Sequence, residues 1–177
     1  MKKLALFTLI SLAALSCSST KTNGAMAMAP LAPTTGQTAK GMVHFQDMPD
    51  GGVEVKIDLV NVPPGVHGFH IHDGGSCADD AKAAGGHFNP SNMPHAARDA
   101  VSHHAGDFGN VTAGDDGTVH ETFVTHSVTV AAGPNSVIGH AVVLHANPDD
   151  LTTQPTGNAG GRIACGVVIP MAGSMHP

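Results

Sequence analysis

The stretch Val53-Glu54-Val55-Lys56-Ile57-Asp58-Leu59 alternates apolar and charged side chains without a break. Successive side chains of a strand point to opposite faces, so this alternation predicts a β-strand with one buried and one wet face. The run over 41–48 places Val43 and Phe45 on one side, and the turn Pro49-Asp50-Gly51-Gly52 separates it from the first stretch. The two runs therefore predict a β-hairpin.

Short apolar runs separated by turn residues continue along the rest of the chain. They predict further strands over residues 66–72, 118–124, 136–145 and 162–169, with a shorter candidate at 127–130. No run shows a helical period, so we expect an all-β Greek-key sandwich or barrel. Two stretches, 73–105 and 146–161, are too long for hairpin turns. Long loops on a β scaffold are where function is usually built.

The composition bounds the possible partners. A length of 177 residues predicts one domain, and 41% hydrophobic residues argue against a disordered chain. A net charge of −6 excludes a nucleic-acid partner, because nothing could neutralise a row of phosphates. The unusual feature is histidine, since its 13 residues outnumber the 8 Lys and Arg together.

The N-terminus has the pattern of an export signal. Met1-Lys2-Lys3 precedes the uncharged apolar run 4–16, which is too short to span a bilayer. We interpret residues 1–16 as a signal peptide and Cys17 as a bacterial lipidation site, with Ala25-Met26-Ala27 and Ala27-Met28-Ala29 as competing cleavage sites. The prediction is an exported protein of the periplasm or cell envelope, which contacts the membrane only through a lipid at Cys17.

The segment after the signal is small, polar and rich in Pro and Gly, which predicts a flexible tether over 17–38 and a single domain over 39–177. Met26 and Met28 could capture copper(I), although a plain linker is the preferred interpretation. A copper-uptake site in the tail, from Met171, Met175 and His176, is a further alternative. In an exported chain the two remaining cysteines, Cys77 and Cys165, most simply form one disulfide.

The histidine spacings predict metal binding. His70 and His72 are two residues apart in a predicted strand, so both imidazoles face one space. Further candidate ligands lie in or just after the first long loop and at the end of a predicted strand: His87, His95, His104, Asp107 and His145. Three imidazoles with a carboxylate suit tetrahedral zinc, and four imidazoles suit copper(II). Six histidines cannot fill seven imidazole positions unless one bridges both metals.

Four motifs resemble the copper/zinc superoxide dismutase family in its bacterial exported form, over about residues 38–170. They are Gly68-Phe69-His70-Ile71-His72, Gly85-Gly86-His87-Phe88-Asn89-Pro90, His104-Ala105-Gly106-Asp107-Phe108-Gly109-Asn110 and Gly157-Asn158-Ala159-Gly160-Gly161-Arg162-Ile163-Ala164-Cys165-Gly166. The resemblance implies an eight-stranded Greek-key β-barrel. It also implies an enzyme that converts superoxide to dioxygen and hydrogen peroxide by alternating copper(II) and copper(I), beside a structural zinc.

The resemblance also implies a role for each motif residue. The copper ligands would be His70, His72, His87 and His145, and the zinc ligands would be His87, His95, His104 and Asp107. Asp149 would orient one ligand of each metal, namely His70 and His95. Arg162 would hold the superoxide anion, and the bridging His87 would return a proton to the peroxide product. The disulfide between Cys77 and Cys165 would fasten the first long loop beside Arg162.

Some features depart from the family pattern or leave alternatives open. The loop 146–161 contains no Lys or Glu, so we expect Arg162 and the metals to supply most of the attraction for superoxide. The contribution of Lys56, Lys82 and Arg98 is undecided. His67 is predicted to be structural, and His103 lies outside the ligand set. The alternative functions are a metal-binding lipoprotein without turnover and a purely structural β-sandwich. A homodimer is possible, and the motifs do not decide it.

Overall fold

A computed structural model of the protein describes residues 24–172. The alternating stretch forms a strand whose residues Val53, Val55, Ile57 and Leu59 are fully buried. In chain order the strands are β1 (Met26–Pro33), β2 (Lys40–Asp47), β3 (Val53–Val60), β4 (Gly65–His72), β5 (Asp107–Ala113), β6 (Val119–Thr125), β7 (Ala141–His145), β8 (Arg162–Val167) and β9 (Ile169–Pro170). Among these residues, no helix is long and apolar enough to span a bilayer.

Eight of the strands form a nearly closed antiparallel barrel, as predicted. Their order is β5-β4-β7-β8-β1-β2-β3-β6, and β9 pairs with β1. The hairpin of β2 and β3 is in the expected place, with Val43 opposite Ile57. The connections from β3 to β4 and from β6 to β7 join strands that are not neighbours, which is the Greek-key feature. The inward faces supply the core, including Phe45, Phe69 and Phe108.

The prediction of a flexible tether over 17–38 is wrong for residues 26–33, which form β1. This strand pairs with β2, β8 and β9. Its inward residues Ala27, Ala29 and Leu31 are buried, and alanines in alternation with methionine and proline give only a weak strand pattern. The predicted signal peptide 1–16 and the lipidation site Cys17 lie outside the described residues.

One further strand was missed, and three other strand predictions need correction. The strand β5 was not predicted, because Gly109 and Asn110 interrupt its apolar pattern. Residues 136–140 are not part of a strand, so β7 is shorter than predicted, and residues 127–130 contribute only the isolated bridge from Thr129 to Ser136. The predicted strand 162–169 is divided into β8 and β9.

The two long loops cover the outer face of β4, β7 and β8. Inward-pointing Phe69 and Ile71 belong to the barrel core, so the intervening His70 must point outward. Its exposure is nevertheless 0%, because residues 73–106 and 146–161 fold over it. The first loop contains one short 3₁₀ helix, Lys82–Ala84. A buried chamber therefore forms between the barrel wall and the two loops.

Candidate metal centre

Four imidazoles converge in the first part of this chamber. Two come from the outward face of β4 and one from the end of β7, so the barrel wall positions three of them. The fourth comes from the first loop, where an isolated bridge pairs His72 with His87. One ligand atom from each lies within 4.8 Å of the others, and all four residues are buried. We call this set the first group: His70, His72, His87 and His145.

A second group uses the loop 73–106 and the first residue of β5. It consists of His87, His95, His104 and Asp107, again with ligand atoms within 4.8 Å of one another and all buried. Oδ1 of Asp107 lies 2.7 Å from Nδ1 of His87 and 2.9 Å from Nδ1 of His95. Its other oxygen accepts hydrogen bonds from the amides of Ala96 and His104, at 3.1 and 2.9 Å. The second group therefore contains a carboxylate, and the first does not.

Several ring nitrogens in these groups lack hydrogen-bond partners, although burying an unpaired polar atom is costly. Nδ1 of His70 and Nε2 of His87 are buried without a partner among the described residues, and Nδ1 of His104 has only a 3.2 Å contact with Oδ1 of Asp107. In addition, Nε2 of His72 lies 3.2 Å from Nε2 of His145. Metal ions would satisfy these atoms. Four imidazoles suit copper, and three imidazoles with one carboxylate suit zinc.

Asp149 connects the two groups from the second long loop. Its Oδ2 lies 2.7 Å from Nε2 of His70, and its Oδ1 lies 3.0 Å from Nε2 of His95. In the tautomer that could bind a metal, each imidazole donates its Nε2–H to Asp149 and keeps the lone pair on Nδ1. Asn110 holds Asp149 in place, because its side chain exchanges two hydrogen bonds with the backbone of that residue, at 2.7 and 2.9 Å.

Backbone carbonyls orient the other two rings of the first group. Nδ1 of His72 donates to the carbonyl of Gly85 at 2.9 Å, and Nδ1 of His145 donates to that of Gly160 at 3.3 Å. Both rings therefore turn Nε2 toward the centre of the group. His67 is structural, as predicted, since its two ring nitrogens lie 2.8 Å from the carbonyl of His145 and 2.7 Å from that of Pro63.

A family model described as copper/zinc superoxide dismutase matches residues 39–168, which include every member of both groups. The chain belongs to the copper/zinc superoxide dismutase family. A solved structure described as "Crystal Structure Analysis of the clock protein EA4" is 35% identical and has a TM-score of 0.76. The match covers 86% of this chain and 98% of that one. The family model begins after β1, so the strand that was predicted as a tether precedes the matched residues.

In this copper/zinc superoxide dismutase family member, burial favours the neutral imidazole at three residues of the first group, His70, His72 and His145. It lowers the pKa of His70 to about 4, against the effect of the hydrogen bond to Asp149, and that of His145 to about 3. The pKa of His72 is also well below its usual value, for the same reason. Neutral imidazole is the form that binds a metal, so these rings need not lose a proton to do so.

The second group has the opposite electrostatics because of its carboxylate. Burial raises the pKa of Asp107, but hydrogen bonds from His87 and His95 and from two amides outweigh burial and lower it. Burial is the largest influence on His95 and lowers its pKa, but the hydrogen bonds and charges of Asp107 and Asp149 together outweigh burial, and the net shift is upward. Burial lowers the pKa of His104. This group therefore carries a fixed negative charge beside its imidazoles.

Arg162 lies beside the first group, because β8 places it opposite His145 in register. Its guanidinium donates hydrogen bonds to the carbonyl oxygens of Ala81 and Gly85 in the first loop. The disulfide between Cys77 and Cys165 is confirmed, with Cα atoms 5.8 Å apart, and it fastens the same loop to β8. The strand and the loop together fix the position of the cation.

Other cations occupy different positions. Lys82 lines a surface cavity together with Arg162, but so does Asp80. Nζ of Lys56 lies 3.0 Å from Asp58 on the outer face of β3. Arg98 stacks 3.9 Å over the ring of Phe123 and donates to the carbonyl of Phe108, at 3.2 Å. Of these three cations, Lys82 alone lines the same cavity as Arg162.

Several groups that hold the site in place were not predicted from the sequence. These are the carbonyls of Ala81, Gly85 and Gly160 and the side chain of Asn110. The residue type does not show which backbone carbonyls will accept a hydrogen bond. Asn110 could have been found, because it is the last residue of the quoted motif that begins at His104.

Proposed function

We propose that the protein is a copper/zinc superoxide dismutase that converts two superoxide ions and two protons to dioxygen and hydrogen peroxide. The observation that carries the proposal is the pair of buried groups that share His87, one with imidazoles alone and one with a carboxylate. Membership of the copper/zinc superoxide dismutase family supports the same reaction. A binding module without turnover would need the metal groups but would have no use for an anion-binding cation beside them.

The donor sets determine which metal each group would hold. His70, His72, His87 and His145 would bind copper, and His87, His95, His104 and Asp107 would bind zinc. Copper would supply reversible one-electron transfer between copper(II) and copper(I), while zinc, which has no redox chemistry, would add a fixed positive charge. The protein residues supply the remaining requirements, which are a held substrate anion and a proton for the product.

His87 is our assignment for the proton donor. Its Nε2 belongs to the first group and has no hydrogen-bond partner among the described residues, while Nδ1 faces Asp107 in the second group. The ring can therefore hold a proton at Nε2 without losing its position. Imidazole exchanges protons near neutral pH, which suits delivery to peroxide. The second proton would come from water.

Arg162 is our assignment for the residue that holds superoxide. A guanidinium has five N–H donors, and two carbonyls of the first loop accept from NH1 and NH2. Donors are left to bind a small anion, and the positive charge is permanent. Because Arg162 is only partly buried, an anion can reach it from solvent.

The test combines metal analysis with a superoxide-consumption assay on the purified protein. We expect one copper and one zinc per chain, and turnover only when both are present. The matched control is His120→Ala, because His120 lies outside both groups on an exposed strand position and bonds to Asp58. This variant should keep metals and turnover. Full occupancy of both groups without turnover would contradict the proposal and indicate a metal-binding module.

We also propose that the mature protein is exported and lipid-anchored at Cys17. Cleavage after Ala27 or Ala29 would remove residues of β1 whose side chains are fully buried, which favours the earlier site. A disulfide is typical of oxidising compartments outside the cytoplasm. Mass spectrometry of the mature N-terminus provides the test. A lipid-modified Cys17 is the expected result, and an N-terminus at residue 28 or 30 would contradict it.

A further inference from the structure

A cluster of methionines lies on the outer face of the barrel, on the side of β1 and β2. The inward residues of these strands, Ala27, Ala29, Val43 and Phe45, are buried. The alternate residues therefore face outward, and each of them is partly exposed. Met171 follows β9 and donates its amide hydrogen to the carbonyl of Met26 at 2.9 Å. We define the methionine patch as Met26, Met28, Met42, His44 and Met171.

The strand register brings these side chains together. Met28 lies directly opposite His44, and directly opposed residues of an antiparallel pair have Cβ atoms about 5 Å apart. Met26 is the diagonal neighbour of His44, and Met42 is the diagonal neighbour of Met28. Diagonal neighbours are about 7–8 Å apart, within the reach of long side chains. Met26 and Met42 lie at opposite ends of this arrangement, four residues apart along the strands, so Met28 and His44 can approach a common point together with one of them.

The residue types in the patch are those of a soft-metal site. Four of the eight methionines of the chain lie in this one patch. Thioethers select copper(I) among the common biological metals, and imidazole also binds copper. Between residues 24 and 172, no side-chain hydrogen bond or ion pair of His44 is present, although its backbone is paired in the sheet. Aliphatic side chains alone would form an apolar surface, so the thioethers and the histidine among them favour a metal site.

The charges next to the patch permit a cation. Lys56 lies opposite His44, but its ammonium group is 3.0 Å from Oδ2 of Asp58. Glu54 is on the same outward face of β3, opposite Gln46. Lys40 also lies on the outward face of β2, two residues from Met42. Two carboxylates therefore balance two ammonium groups, and the surface beside the patch has no excess positive charge that would repel a monovalent cation.

We propose that the methionine patch binds one copper(I) ion through thioether sulfurs and the imidazole of His44. The site is separate from the two buried groups, which lie against β4 and β7 and contain no sulfur ligand. It does not depend on dismutase activity. A protein that lacked turnover would still bind copper(I) here.

The first test is an anaerobic copper(I) titration against a competing chelator, with the full chain already loaded with copper and zinc. All proteins carry Cys17→Ser, so that no free thiol contributes. We expect one further equivalent of copper(I). The triple variant Met28→Leu, Met42→Leu and His44→Gln should lose that equivalent and keep the metals of the buried groups, which shows that it folds. Met93→Leu, an exposed methionine in the first loop, is the matched control.

The second readout is specific to sulfur. With methyl-labelled methionine, the NMR signals of Met26, Met28 and Met42 should shift when the further equivalent is added, while that of Met93 should not. X-ray absorption at the copper edge should gain sulfur scattering, which the buried groups cannot supply. Absence of a further equivalent, or its retention in the triple variant, would overturn the proposal. Turnover is not part of either readout, so failure of the proposed dismutase function would be seen separately.

Discussion

The two metal groups share a histidine and a chamber, yet they are built differently. The first group takes three of its four residues from β4 and β7, so the barrel wall fixes them. The second takes three from the loop 73–106 and adds Asp107 at the start of β5. A strand determines side-chain direction through its pleat, whereas a loop needs additional contacts. The disulfide and Asp149 provide such contacts for the loop half.

The charges of the two groups differ in the same way. The first group has no carboxylate, and burial favours neutral imidazoles at His70, His72 and His145 by lowering their pKa values. A neutral ligand set can accept either charge state of a redox metal. The second group carries the charge of Asp107, which suits an ion that stays divalent. Under the proposed function, the redox metal would therefore occupy the more rigid first group, which has no carboxylate.

The largest expected effect comes from removing a residue that belongs to the first group alone. His145→Ala should abolish copper-dependent turnover and leave zinc bound, because His145 contributes to no other group. His104→Ala should show the reverse pattern of metal loss, with zinc lost first. Metal content and superoxide consumption are the measurements. Retained turnover in His145→Ala would contradict the ligand assignment.

A substitution of Asp149 should weaken metal binding by the first and the second group together. Because its carboxylate touches His70 and His95, Asp149→Ala should lower the affinity for both metals by about 10- to 100-fold, the usual cost of removing a group that orients metal ligands. Competition with chelators measures each affinity. Asp115→Ala, in an exposed turn, is the control. An effect on one metal only would show that the two groups are not coupled through Asp149.

The comparison also explains which parts could be predicted from the sequence. The alternation in β3 and the pair His70 and His72 are local patterns, and they directly predict a strand and two imidazoles that face one space. The strand β1 was missed because its core residues are mostly alanines and it contains Pro30 and Pro33. The composition of such a strand is that of a linker.

Long-range contacts left the weakest signal in the sequence. The carbonyl of Ala81 accepts from a guanidinium 81 residues away, and any residue type has a carbonyl. The methionine patch depends on the register between β1 and β2, so it could not be seen while residues 17–38 were interpreted as a tether. The residues that converge in the two groups, Asp149 and the disulfide were predictable, and the backbone groups that hold them were not.

Arg162 tests whether the first group needs a cation as well as ligands. Arg162→Ala should slow turnover about tenfold with both metals still bound, equivalent to about 1.4 kcal/mol of lost anion stabilisation. Arg162→Lys should recover part of the rate, because it keeps the charge but loses the planar donor pair. Superoxide consumption at equal metal content is the measurement. An unchanged rate in Arg162→Ala would remove the residue from the mechanism.

The pKa difference between the groups predicts how acid affects the metal-free protein. The folded pKa values of His70 and His145, about 4 and about 3, are below that of an unfolded histidine. The unfolded chain therefore binds more protons below about pH 6.5, and stability falls with pH until the folded values are reached. From pH 7 to 5 the loss is about 2 kcal/mol for each histidine. The raised pKa of His95 opposes this loss of stability in part, because the folded chain binds that proton more tightly than the unfolded chain. Denaturant unfolding at both pH values gives the measurement, and a stability that does not fall would contradict the predicted neutrality of the first group.

The smallest expected effect is that of salt on the rate. The loop 146–161 has no Lys or Glu, and Lys82 near Arg162 is offset by Asp80 in the same cavity. Attraction from one partly buried cation acts at distances shorter than the Debye length, which falls from about 30 Å at 0.01 M salt to about 8 Å at 0.15 M. We therefore expect the rate to depend only weakly on salt in this range.

Gly161→Lys provides a matched gain of charge, because nothing lies within 4 Å of a Cβ at that position. This variant should react faster at low salt and lose that advantage at high salt. A steep fall in the unmodified protein would show that charges elsewhere on the surface guide superoxide to the first group.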